Sequence, residues 1–121
     1  MDIKNLFLQI DNLKDLFHEK VQATKEIEHW KDQKMGLKNT IAISSDQDVK
    51  KILSEQLRYD NLIQKEQDKI DKFNEVKQQV LNDMEFNEFE YYNDKWHYKA
   101  KKINGNVHYE ESTSPYNTFI F

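Results

Sequence analysis

Apolar side chains at Ile3, Leu6, Ile10, Leu13 and Phe17 recur at alternating steps of three and four, the spacing that lines one seam of a coiled-coil helix. The seam is expected to continue through Val21 or Thr24, Ile27 and Trp30, with Lys20, Lys31 and Lys34 intruding, until Gly36 and Asn39 weaken helix propensity. This predicts a first helix over residues 2–38. The period is lost across Thr40-Ile41-Ala42-Ile43-Ser44-Ser45, where Ser45 is a candidate N-cap followed by Asp46 and Asp48 near the positive helix end. A second helix is then expected over residues 46–86. Its seam is Val49, Ile52, Gln56, Tyr59, Ile63, Glu66, Ile70, Phe73, Lys77, Val80 and Met84, strict in spacing but with three polar intruders.

Two helices of similar length joined by a short connection fold back on each other, so residues 1–86 are expected to form an antiparallel coiled-coil hairpin. With the connection centred near residue 43, facing positions sum to about 86, which sets Tyr59 against Ile27, Phe73 against Leu13 and Val80 against Leu6. It also sets Glu66 against Lys20. Two polar intrusions placed opposite each other are expected to fix the register, because a one-heptad slip would leave each charge against apolar groups.

After Met84 the period changes to two and aromatic residues become dense. Asn104-Gly105 between two alternating runs asks for a two-residue type I′ turn. Such a turn pairs Lys102 with Val107, Ala100 with Tyr109 and Tyr98 with Glu111 on one face. On the other face it pairs Lys101 with His108, Lys99 with Glu110 and His97 with Ser112. Trp96, Tyr98, Ala100, Val107 and Tyr109 then form an apolar face. Phe89–Tyr92 and Thr118–Phe121 are candidate outer strands, the latter after a turn at Ser114-Pro115-Tyr116-Asn117. The expected fold class is α+β, with a small β-meander over residues 87–121 packed on the open end of the hairpin.

Further apolar residues lie off the main seam: Leu8, Leu16, Ala23, Trp30 and Leu37 on the first helix, and Leu53, Leu57, Leu62 and Val76 on the second. One seam does not use them all, so a homodimer is expected, with Leu16, Trp30, Leu53 and Leu57 as its surface or as a partner's.

Composition narrows the classes. The 121 residues carry a net charge of −4, no Cys, two Gly and one Pro, with a mean hydropathy of −0.98. Disulfides, thiolate metal sites, a Cys nucleophile and glycine-rich phosphate loops are excluded. With neither a long apolar run nor a basic start leading into one, no membrane segment is expected, and the expected location is cytoplasmic. Net charge is 0 over residues 1–43, −2 over 44–84 and −2 over 85–121, which makes direct nucleic-acid binding unexpected. Seventeen lysines against one arginine suggest an AT-rich genome, such as that of a low-GC bacterium or its phage.

No residue pattern points to catalysis, a cofactor or a metal. His97 and His108 share a hairpin face with Glu110, as charge-matched strands also do, and no serine sits at a glycine elbow. Two groupings remain. Asp83, Glu85, Glu88, Glu90 and Asp94 alternate with Phe86, Phe89, Tyr91 and Tyr92, either as an acidic, aromatic surface for a basic partner or as a helix end running into an edge strand. Lys95, Lys99, Lys101 and Lys102 beside Trp96, Tyr98 and Tyr109 suit either single-stranded nucleic acid or an edge guarded against aggregation.

The expected function is therefore a non-catalytic protein–protein interaction module. Its expected form is a small inhibitor or adaptor of phage or mobile-element type, acting on a larger host protein or protein–nucleic acid complex such as a nuclease or CRISPR effector. One alternative is a single-stranded nucleic-acid binder. Another is a structural coiled-coil assembly protein or a chaperone that resembles prefoldin subunits in its hairpin-plus-β plan, although prefoldin strands interrupt the helical pair and these follow it.

The register pair generates the first prediction. Glu66→Leu alone is expected to lower stability and specificity, and addition of Lys20→Leu to restore part of both, with a coupling of about 0.5–3 kcal/mol in a double-mutant cycle. Zero coupling, measured by denaturant unfolding and light scattering, contradicts the pairing.

Overall fold

The computed structural model describes residues 2–41, 46–93, 96–112 and 117–121, with the side chain of Ile41 excepted. The expected cap at Ser45, the acid at Asp94, the lysine at Lys95 and most of the turn at Ser114-Pro115-Tyr116 lie outside them. The chain is α+β: two long helices, α1 (Ile3–Ile41) and α2 (Asp46–Asp83), pack as a hairpin. They are followed by four strands, β1 (Glu88–Asn93), β2 (Trp96–Ile103), β3 (Asn106–Ser112) and β4 (Asn117–Ile120). The strands form one antiparallel meander in the order β1-β2-β3-β4.

Both helix ends differ from expectation. α1 runs on through Gly36 and Asn39, because one exposed glycine costs a helix only about 1 kcal/mol, less than the half-buried Leu37 and the surrounding turns hold in place. Thr40 donates its hydroxyl to the Leu37 carbonyl in the last turn, and Lys38 adds a cation there. α2 stops at Asp83 rather than residue 86. Its last helical bond is donated by the Met84 amide to Val80, and the Lys102 ammonium donates to the Met84 carbonyl at 3.2 Å, supplying the cation that a helix C-terminus favours. The start of α1 is capped by Asp2, whose carboxylate accepts from the Asn5 amide.

The chain divides into two compact units, one made of Met1–His18 with Lys72–Phe121 and the other of Glu19–Asp71. In the first, Leu6, Phe7, Ile10 and Leu13 of α1 meet Phe73, Val76 and Val80 of α2 and Met84 just beyond it. Phe89, Ala100, Val107, Tyr109 and Phe121 cover them from the sheet side. Phe73 is 1% exposed and stands edge-on to Phe121, with Phe17 tilted against it. The expected type I′ turn is present, with positive φ at both Asn104 and Gly105. It produces the register read from the sequence, including Ala100 with Tyr109 and Lys99 with Glu110. Val107 and Phe121 then exchange two backbone hydrogen bonds of 3.1 and 2.9 Å, which hold Phe121 over the core.

In the second unit the seam of α1 differs from expectation. Ala23 is fully buried, Ile27 is buried, and Trp30 and Leu37 are half-buried, whereas Val21 and Thr24 are exposed. Thr24 satisfies its hydroxyl by donating to the Lys20 carbonyl on the outer side, so the smaller and wholly apolar Ala23 takes the seam. Trp30 stacks on Tyr59 at 5.5 Å, and Lys34 pairs with Asp60. Trp30 and Tyr59 sum to 89 rather than 86, in keeping with helical side chains leaning toward their own N-termini.

Candidate functional site

Alternation along the strands gives the sheet a solvent face and a helix-facing side. On the solvent face, cross-strand register sets Glu88 opposite Lys101, Glu90 opposite Lys99 and Tyr92 opposite His97, and β3 continues with Glu110 opposite Lys99 and His108 opposite Lys101. The Lys99 ammonium lies 3.5 Å from Glu90 and 3.6 Å from Glu88, and those two charges raise its pKa above the ordinary lysine value. Tyr92 stacks on His97 with centroids 4.2 Å apart. The acidic and basic groupings read from the sequence thus share one face and offset each other.

The remaining members are dispersed. Lys102 lies on the helix-facing side and is held at the end of α2, while Lys101 is half-buried on the solvent face. Asp83 and Glu85 are exposed beside Asp2 around a hollow at the helix ends, and among the described residues no cluster of His, Asp or Glu could hold a metal ion. β1 is an edge strand with Phe86 just before it and Tyr92 near its end, 67% and 66% exposed. Of the residues expected on a dimer or partner surface, Leu16 packs against the core and Trp30 against Tyr59, whereas Leu53 and Leu57 are exposed one turn apart on α2. Lys20 and Glu66 are both half-buried, and Glu66 accepts from Lys69 in its own helix at 3.2 Å.

The helix-facing side carries the arrangement that sequence reasoning missed. Lys4, Phe7, Leu8, Asp11 and Lys14 form a stripe on α1 at helical spacing, and across from it stand Tyr91, Asn93, Tyr98, Tyr109 and Glu111. Between them is a cleft of about 290 Å³. Glu111 is 7% exposed, and Lys14 donates to it while also pairing with Asp11 at 3.0 Å. The same ammonium lies 5.4 Å from the Phe119 ring centre and 5.9 Å from that of Tyr109. Burial alone would lower the Lys14 pKa, but hydrogen bonds to Glu111 and Asp11 and their charges carry it above 10.5. Burial, reinforced by Glu111 and Asp11, raises the Tyr109 phenol well above its usual 10.0. One sequence signal was available: the turn register sets Glu111 opposite Tyr98 on the apolar face, where a carboxylate needs a cation.

A pH dependence follows. Both Lys14 and Tyr109 have folded pKa values above their unfolded ones, so their contribution is complete below about pH 10 and is lost as pH rises through the folded values. The urea midpoint is expected to be flat from about pH 8 to 9.5 and to fall above about pH 10, less steeply in Tyr109→Phe. A midpoint unchanged to about pH 11 contradicts this assignment.

In comparisons with protein-family models, curated proteins and solved structures, the chain matches none.

Proposed function

We propose that this chain is a non-catalytic protein-interaction module, an inhibitor or adaptor that docks edge strand β1 and its acidic flank on a basic surface of a larger protein. The observation that carries the reading is the exposure of two large aromatic side chains, Phe86 and Tyr92, at either end of an edge strand. Edge strands offer unpaired backbone groups, and aromatic side chains supply much of the energy at protein interfaces. Asp83 and Glu85 next to Phe86 favour a basic partner. The more specific form, a phage or mobile-element protein that blocks a nuclease or CRISPR effector in the host cytoplasm, draws on the lysine-rich, cysteine-free composition.

The nucleic-acid reading has less support, because Lys99 is engaged by two glutamates and Lys102 by the end of α2. Self-association through Leu53 and Leu57 is the form of the homodimer reading that retains exposed apolar surface.

Affinity capture with the full chain from a low-GC bacterial extract tests the proposal. The wild type and Leu53→Ser/Leu57→Ser are expected to retain the same basic partner, and Phe86→Ala/Tyr92→Ala to lose at least about tenfold in affinity with its circular dichroism unchanged. No partner, or one held equally by the β1 variant, contradicts the reading.

A further inference from the structure

We infer that the cleft between α1 and the helix-facing side of the sheet is a binding site for a flat aromatic ring that carries an anionic group. The inference goes beyond the docking reading, whose residues Phe86 and Tyr92 do not line this cleft.

Size is the first constraint on the ligand. At about 290 Å³ the cleft lies at the small end of ligand sites, which suits one or two fused rings rather than a folded peptide segment. Its walls then select the shape of the ligand. Phe7 stacks on Tyr91 at 5.6 Å with 23° between planes and Tyr91 on Tyr98 at 6.1 Å with 24°, while Phe7 and Tyr98 stand 6.5 Å apart at 46°, so the three rings form a triangular aromatic wall. Tyr91 and Tyr98 are only half-buried, which leaves aromatic surface open to the cleft. A flat ring laid against this wall gains aromatic contact, and offset or edge-on packing contributes beyond simple burial.

Charge selects the substituent. The two carboxylates of the cleft, Asp11 and Glu111, are both engaged by the single ammonium of Lys14. Lys4 lies one turn before Leu8 on the same stripe, is exposed, and makes no ion pair among the described residues. A ligand anion beside Lys4 gains a partner without displacing any internal pair, whereas a ligand cation would have to compete with Lys14 for Asp11 and Glu111. The exposed Asn93 amide offers a donor and an acceptor to the ring's edge.

Nuclear magnetic resonance titration of the full chain tests the site with four probes: 2-naphthoate, neutral 2-naphthamide, cationic 2-naphthylmethylammonium and adenosine 5′-monophosphate. Saturable binding of 2-naphthoate with Kd below about 1 mM is expected, with the amide at least about fivefold weaker and the ammonium weaker still. Lys4→Gln is expected to reduce naphthoate to the level of the amide and leave the amide unchanged. Leu8→Glu, at an exposed position on the cleft wall, is expected to repel naphthoate while the fold persists. Binding of the nucleotide as well as naphthoate identifies a nucleotide as the ligand source, and naphthoate alone an aryl acid. The inference is overturned by the absence of saturable binding of either anionic probe up to about 5 mM, by naphthoate affinity unchanged in both variants, or by tighter binding of the ammonium.

Discussion

Closure of the sheet over Phe73 is the contact on which the rest of the structure depends. A meander confined to residues 88–120 is too short to build a sufficient core by itself, and the helix ends leave Leu6, Ile10, Leu13 and Val80 needing cover. Ala100, Val107, Tyr109 and Phe121 supply that cover, and Phe73 sits where all three layers meet. Once this side of the sheet is committed to the core, alternation sends Glu88, Glu90, Lys99 and Glu110 to solvent. The Asn104-Gly105 turn makes that choice, since a slip of one residue would exchange the two faces.

The same commitment accounts for the two regions of chemical interest. The core covers the sheet at its Val107 and Phe121 end, whereas Tyr91 and Tyr98 pack at its margin beside Phe7 and, with Glu111, stand across from the outer stripe of α1. A cleft results there, and the buried Glu111 obliges Lys14 to meet it. On the opposite face the acids and lysines of neighbouring strands neutralise each other, so little net field remains over β2. The exposed aromatic residues at β1 and the acids beside Phe86 are then the more distinctive external features.

Local signals carried the sheet. Asn104-Gly105 and the alternating runs on either side contain both the turn type and the register, because a two-residue hairpin leaves no freedom in pairing. The same holds for the start of α2, where Asp46 and Asp48 mark the positive end of the helix. The choice of Ala23 over Thr24 at the seam was not legible, because the alternating spacing pointed to Val21 or Thr24 and set Ala23 off the seam, whereas the Thr24 hydroxyl found its partner in the backbone. Nor was the Lys14–Glu111 pair. Its members are 97 residues apart, and only the three-dimensional meeting of α1 with β3 brings them together. Lys102 looked like part of a basic patch for a similar reason: the carbonyl that it caps becomes available only because α2 ends before it.

Native-state hydrogen exchange tests most directly whether the sheet and the helix ends form one cooperative unit. The amides of Ala100, Val107 and Tyr109 in the sheet and of Val76 and Val80 in α2 should exchange with the same opening free energy, and Phe73→Ala should lower all of them together by about 3–5 kcal/mol or to the limit of detection. Sheet amides that open at a lower free energy than those of α2, or that keep their protection when Phe73→Ala strips it from the helix, would contradict the account.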